Sequence, residues 1–402
     1  MQTFRYAARI LHKKSHRWGA TWEAQREMMR ERIFGVSQDP GPEKAVEACL
    51  EWLLQAQEKS ASGDGGVARH YSLVSGWGAS YPETTGYIIP TILDHAHRRQ
   101  CSRLKAAAAR MLEWLVSIQM PNGAFRGSHM HSPVEAPVVF DTGQILIGLS
   151  VGMKNFGLSY EDPVKRASRW LIEVQDADGA WRHPNPFVAG GDHVWETHVA
   201  WGLLEASRST GVAAYGEAGL RNMRWAVSRQ LPNGWYQDCG MGDDNDNPLT
   251  HTLAYTLRGI LEGYRFSGDP ALLAAAVQTA DGLLSARDKD GALPGQLDKN
   301  WKGTVRWICL TGLSQTAICW LMLYQDTGRE DYLNAAFTAN RYVRSTLRLE
   351  GPSELRGGVK GSLPVNGEYC RFQFINWACK FLIDACTLEM DIRAARSALP
   401  RG

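Results

Sequence analysis

The sequence predicts an all-α fold, an (α/α)6 toroid in which six outer and six inner helices alternate around a central cavity. Three observations predict it. Amphipathic helical runs ending in a polar residue and a Gly turn recur six times, and each is followed by a second, more continuously apolar run. Polar and aromatic residues concentrate in the connections into the second runs, with histidines in or beside the first four of them. A fixed period of tens of residues marks a stacked or toroidal architecture.

The outer runs are KAVEACLEWLLQAQ before DGGV, LKAAAARMLEWLVSIQ before PNGAF, PVKRASRWLIEVQ before ADGAW and EAGLRNMRWAVSRQ before LPNGW. LLAAAVQTADGLLSAR before KDGAL and YLNAAFTANRYVRSTL before a later RGGV complete them. Measured on Gln57, Gln119, Gln175, Gln230 and Arg287, the steps are 62, 56, 55 and 57 residues, enough for two helices and their connections. The second runs are TGYIIPTILDHA, DTGQILIGLSVGM, THVAWGLLEAS, THTLAYTLRGILEGY, TGLSQTAICWLMLYQ and NWACKFLIDACTLE. A helix wetted on one face keeps one apolar stripe, whereas one covered on most sides is apolar nearly all round, so the first set is outer and the second inner. Antiparallel pairs of this kind close into a ring. An open solenoid would need polar capping repeats.

With 402 residues the chain far exceeds the minimum for a self-supporting core. Its 44% hydrophobic and 21% charged residues, with a net charge of +2, describe a soluble globule and disfavour nucleic acid as the main ligand. No stretch approaches the roughly 18 to 20 apolar residues of a membrane span. The N-terminal MQTFRYAARILHKKSHRW lacks the apolar core of a secretion signal, so a cytosolic location is expected. Eight cysteines without a CxxC pair read as buried thiols. Fifteen Trp and 13 Tyr supply rings of the kind that line carbohydrate or terpene cavities, or pack helices.

Residues 1–38 lie outside the repeat and are expected to form a basic N-terminal arm, with residues 39–402 the toroid domain. From Met1 to Gly35 eight Lys/Arg face Glu23, Glu27 and Glu31, a balance of +5, with Phe4, Tyr6, Ile10, Leu11, Trp18 and Trp22 interleaved. Such a segment packs across the toroid as a helix, or contacts an anionic membrane surface or a membrane-bound synthase.

In a toroid the N-termini of the inner helices and the loops before them build one end of the cavity, so a polar site is expected there. His70, His129, His131, His183, His193, His198 and His251 all fall in or beside these loops. Three chemistries fit the side chains present. Inverting glycoside hydrolysis needs two carboxyls about 6.5 to 9.5 Å apart, one of them kept protonated. Glu83, Asp141, Glu196 and the Asp243, Asp244, Asp246 cluster are the candidates. Glu83 and Asp141 begin inner helices, where the helix dipole favours the ionised form, and each is also a good helix cap. Uronate elimination or C5 epimerisation needs a base, an acid and a group that neutralises the sugar carboxylate. Tyr87, His198, His251, Tyr255, Asn376, Arg306 and Arg371 offer that set, with His251 and Tyr255 four residues apart on one helical face. Terpene cyclisation needs an acidic Asp in a DxDD setting within an aromatic pocket; DDND at Asp243 to Asp246 has the wrong order and a wet, Gly- and Asn-rich context. Cys239, Asp243 and His251 match no established zinc spacing, and no phosphate-cradling loop is present, so no metal or other cofactor is expected.

YPETTGY, FDTGQ, THVAW, LTHTLAYTLRG, LTGLSQ and NWACKF on six successive inner helices resemble the exopolysaccharide-biosynthesis proteins of the VpsJ type, in the terpenoid-cyclase and prenyltransferase α/α-toroid superfamily. The resemblance runs from about residue 40 to 390. The helix-end Gln followed by DGAW or NGWY also resembles the QW motif of triterpene cyclases, which stabilises the toroid and says nothing about substrate. The resemblance implies a role in exopolysaccharide metabolism, and the basic arm is compatible with a cytosolic protein peripheral to the inner membrane face. The expected reading is an acid/base enzyme acting on an acidic oligosaccharide or glycan precursor. Glu83, Asp141, His198, His251 and Tyr255 are its catalytic candidates. Trp77, Trp195 and Trp301 are expected as stacking platforms, Tyr87, Gln144, Glu196, Gln315 and Asn376 as polar contacts, and Arg306 and Arg371 as readers of negative charge. A non-catalytic glycan-binding subunit and a terpenoid cyclase are the alternatives.

Overall fold

The computed structural model describes residues 21–188, 190–241 and 245–398. Residues 1–20 of the expected arm lie outside these, and its remainder carries helix α1 (Trp22–Phe34). Six hairpins follow, each an outer helix and then an inner one: α2 (Pro42–Glu58) with α3 (Pro82–Arg98), α4 (Ser102–Ser117) with α5 (Val139–Phe156), and α6 (Glu161–Glu173) with α7 (Thr197–Thr210). The second half repeats the pattern with α8 (Ala213–Ser228) and α9 (Thr250–Ser267), α10 (Pro270–Ala286) and α11 (Leu310–Thr327), and α12 (Glu330–Arg344) and α13 (Asn376–Ala398). The inner set is the more deeply covered. In α11 every residue from Leu310 to Leu323 is buried, whereas α6 buries only a stripe through Val164, Ala167, Trp170 and Leu171.

Each inner helix packs on the next, and α13 packs back on both α2 and α3. The ring is therefore closed. At the seam Thr91 Oγ1 donates to Asp384 Oδ1 at 2.6 Å, and His95 Nε2 meets Thr387 Oγ1 at 3.0 Å. The connections add β1 (His70–Ser72), β2 (Gly76–Trp77), β3 (Ile308–Cys309), β4 (Ser362–Leu363) and β5 (Gln373–Ile375). Antiparallel β1 lies between β2 and β5, with Tyr71 opposite Phe374, so a strand from the first hairpin pairs with one from the last. Strands of two or three residues are too short to show a period-two pattern, which is why the sequence announces none of them.

Two sequence features set the spacing of the ring. The helix-end glutamines each bridge two repeats: Gln119 Nε2 donates to Gly123 O (2.9 Å) in its own turn and to Pro163 O (3.0 Å) on the next outer helix. Gln57, Gln175 and Gln230 repeat the arrangement with Ala107, Ala218 and Ala275. Glycines on the inner helices let bare backbones touch. A Cβ on Gly148 would lie 2.2 Å from Gly86 O, and one on Gly202 would lie 2.3 Å from Gly143 O.

Helix α1 is clamped to the last connection by a buried ionic cluster. Lys360 Nζ lies 2.7 Å from Glu27 Oε1 and 2.6 Å from Glu31 Oε1, and Arg348 reaches Glu27 Oε2 at 3.1 Å. Burial pushes the Glu27 carboxyl up, but hydrogen bonds and charge from Arg30 and Lys360 outweigh it and hold it down near about 2. Its stabilising contribution is complete above about 4.5 and is lost as pH falls toward about 2. Lys360→Met strands the Glu31 carboxylate and takes one of three cations from Glu27, and is expected to cost about 3–5 kcal/mol, read as a lowered denaturant midpoint at neutral pH. Among the described residues no helix is long and apolar enough to cross a membrane.

Candidate active site

A cavity of about 230 Å3 opens at the end of the ring where the inner helices begin. Glu83, Asp141, Tyr87, Trp195, His251 and Tyr255 all line it, so residues from four hairpins meet there. Pro82 occupies the first turn of α3 with no side-chain cap before it, which leaves the Glu83 carboxyl free to face the cavity. Asp141 takes the same place on α5, and its Oδ1 accepts a hydrogen bond from Ser128 N at 3.2 Å.

Both carboxyls are buried, and this overrides the helix ends. Burial drives Glu83 up to about 7 against the opposing Tyr81 hydroxyl and Arg69 charge. Burial, and then the charge of Glu83, push Asp141 well above the usual carboxylate range, opposed only by backbone N–H groups. The expectation that the helix dipole keeps both ionised is thus corrected. A dipole term of about 0.3–1 kcal/mol is smaller than the cost of burying two like charges together. Glu83 has the nearer cation and ionises first; Asp141 keeps its proton longer.

His251 Nδ1 lies 2.7 Å from Gln315 Oε1. An amide oxygen only accepts, so with this amide orientation Nδ1 carries the proton and Nε2 presents a lone pair. Burial lowers His251 to about 4 despite the Gln315 bond, leaving it neutral. His198 repeats the device with Gln144 Oε1 at 2.6 Å and is held neutral by burial, but it lies outside the cavity lining, its ring 4.4 Å from that of Tyr255. Tyr255 is packed between the two histidines, 4.3 Å from the His251 ring, and its hydroxyl donates to Tyr87 Oη at 3.4 Å. Gln144 and Gln315 therefore orient histidines and are not in the lining.

The remaining expected residues divide. Trp195 lines the cavity, its indole N–H bonded to Gly240 O (3.1 Å) and its ring edge-on to Phe140. Trp77 packs instead on Trp52 and Tyr71, and Trp301 packs on Trp235 with its N–H given to Asn233 O, both outside the lining. Large apolar rings found better burial in the connections than at an open rim. Arg306 is exposed and Arg371 half-buried, neither in the lining. Glu196 is buried beside the cavity wall, where burial and then Asp192 and Asp176 keep it raised. Asn376 spends its amide on Ala68 O and Thr84 Oγ1, tying the start of α13 to the first hairpin. Asp243 and Asp244 lie outside the described residues, Cys239 Sγ bonds Thr256 Oγ1, and among the described residues no metal-ligating cluster occurs. Of the seven histidines flagged in the sequence, only His251 is in the lining.

The cation in the lining is Arg69, which the sequence reading passed over. Its guanidinium stacks on Trp377 (5.0 Å) and Tyr81 (5.8 Å), and Nη1 donates to Gln373 Oε1 at 3.1 Å. The β1–β5 pairing holds it, with Asn376 N donating to Arg69 O. Its only signal was its place in the loop ARHY before α3.

No family model matches the chain. Squalene–hopene cyclase of Zymomonas mobilis is 24% identical over 246 residues, 54% of this chain and 36% of that protein, so the chain spans about a third of its length. Among solved structures, an unsaturated glucuronyl hydrolase specific for heparin matches with TM-score 0.71 at 16% identity, covering 88% of this chain and 98% of that one. Cellobiose 2-epimerase from Bacillus thermoamylovorans matches with TM-score 0.71 at 12% identity, with the same coverage of 88% and 98%. A D-mannose isomerase matches with TM-score 0.70 at 12% identity, covering 87% and 97%. At such identities these likenesses establish the fold alone. The chain is a mostly helical α/α toroid, a fold shared with hydrolases and epimerases of sugars, and is distantly similar in sequence to a squalene–hopene cyclase.

Proposed function

We propose that the protein is a carbohydrate-active enzyme that cleaves an acidic oligosaccharide by acid/base catalysis. The observation that carries it is the buried pair of Glu83 and Asp141, pushed up to different extents and facing one cavity beside Arg69. Asp141 protonates the leaving glycosidic oxygen. Glu83 takes a proton from the water that attacks the anomeric carbon, so one water is added and both protons are accounted for. Arg69 receives the sugar carboxylate. Should the reaction instead remove the C5 proton, as in a uronate lyase or epimerase, the Nε2 lone pair of His251 is the base. The similar toroids support a sugar substrate, the glucuronyl hydrolase an acidic one and the cellobiose epimerase a neutral one, and the six inner-helix motifs support a place in exopolysaccharide metabolism of the VpsJ type.

Incubation with uronate-terminated oligosaccharides, followed by chromatography and a reducing-end assay, tests the reading; titration that shows binding without altered sugars returns the protein to a glycan-binding subunit. The rate is expected to rise as pH climbs through about 7, where Glu83 becomes the base, and to fall where Asp141 loses its proton. Arg69→Met is expected to raise KM for an acidic sugar by roughly tenfold or more, and to leave binding of its neutral methyl ester nearly unchanged.

A second reading, proton-initiated terpenoid cyclisation, is favoured by the aromatic lining of Phe140, Trp195, Tyr255 and Trp377 around a protonated Asp141. A cavity of about 230 Å3 holds one ring better than a long polyprenyl chain, and Arg69 suits no hydrocarbon. Assaying polyprenyl substrates beside the sugars separates the two.

A further inference from the structure

Five large apolar side chains crowd one short segment at the cavity end of the ring: Trp22, Met29, Ile33, Phe34 and Val36, between 46% and 75% exposed. No other described stretch of this length exposes as many. Trp22, Arg26, Met29 and Ile33 follow helical spacing along one side of α1. The opposite side is fixed. Glu27 and Glu31 turn inward to Lys360 and Arg348, Val365 N donates to Glu31 Oε2 at 2.8 Å, and the Thr21 hydroxyl bonds Leu73 O.

This segregates charge as well as polarity. Two of the three carboxylates of α1 are buried in ion pairs, while Arg26 and Arg32 stay exposed beside the apolar residues. Residues 1–20, which run into this helix, contain five Lys/Arg and no Asp or Glu. Leu73, Lys360 and Val365, which hold α1, belong to the connections that lead into inner helices α3 and α13. The cavity opens at that same end.

We propose that the outer side of α1 docks on an anionic lipid bilayer, so that the cavity mouth lies near the membrane plane. Exposed rings and aliphatic groups interleaved with arginines match an interface of acyl chains and negative headgroups. An acidic protein partner would account for the arginines but not for four exposed apolar residues on one short helix. The inference is independent of the chemistry proposed for the cavity. It restricts where a substrate is presented: a glycan carried on a lipid is within reach.

Full-length protein is sedimented with vesicles of phosphatidylcholine alone and with vesicles containing phosphatidylglycerol, at low and high salt. Wild type is expected to bind the anionic vesicles, with binding weakened by salt. The Trp22→Glu, Ile33→Glu, Phe34→Glu variant is expected to bind at least tenfold more weakly while keeping its thermal midpoint, because all three side chains are exposed. Three outcomes overturn the proposal. Wild type stays in the supernatant; or the variant binds like wild type, which assigns the affinity to residues 1–20 alone; or light scattering shows a dimer that the variant abolishes, which assigns the face to a second copy.

Discussion

Asp141→Asn is expected to lower kcat/KM on acidic oligosaccharides by roughly 10^2–10^4, the range that a positioned general acid contributes. The thermal midpoint should barely move. Asp141 is held protonated by burial and by the charge of Glu83, and Asn reproduces the shape and the neutrality of that form. Its Oδ1 can still accept from Ser128 N. A large loss of stability with activity retained would make Asp141 a structural cap. Glu83→Gln provides the complementary measurement. Because Glu83 lies at about 7 in the fold against an ordinary 4.5, its neutral form adds stability that is complete below about 4.5 and disappears as pH rises through about 7. Gln keeps the neutral state at all pH. The variant should therefore be inactive, and more stable than wild type at about pH 8. A site that gains stability when its base is silenced is one that stores electrostatic cost for catalysis.

Gly202→Ala is expected to destabilise the protein by about 1–3 kcal/mol or more, and to impair turnover with it. The new Cβ would stand 2.3 Å from the carbonyl oxygen of Gly143, a backbone atom that cannot rotate away. Gly143 is two residues beyond Asp141 on the same helix, so separating α5 from α7 moves the acid relative to Glu83. Urea titration and initial rates on one preparation read both effects. Gly190→Ala, where the added methyl meets nothing within 4 Å and φ is not positive, serves as the control and should be close to neutral.

The ring itself was legible because its cause is periodic. Five helix-end polar residues at near-constant spacing, with a sixth outer run after them, require six copies of one hairpin, and the all-round apolar inner runs leave them no place but the middle. The shared mouth followed from topology, and Glu83, Asp141, His251 and Tyr255 meet there as residues on inner-helix starts should. Arg69 was not legible, since its orientation depends on β1 pairing with β5 across some three hundred residues, a contact with no local signature. Trp77 and Trp301 misled for the opposite reason: an indole in a loop before an inner helix looks like a platform, yet both found neighbouring tryptophans to pack on. The roles of Gln144 and Gln315 were hidden because a glutamine beside a site looks the same whether it touches a ligand or fixes a tautomer. The inner glycines escaped notice because a missing side chain leaves no pattern.

The strand pairing at the seam has a consequence for biosynthesis. Arg69 leaves the ribosome early and its N–H finds Ala79 O within the first hairpin, but its carbonyl and guanidinium meet Asn376 N and Gln373 Oε1 only after nearly the whole chain has been made. Until that late docking the guanidinium also lacks the Trp377 ring on which it stacks. If Arg69 receives an acidic sugar as proposed, chains truncated before Gln373 are expected to bind that sugar weakly.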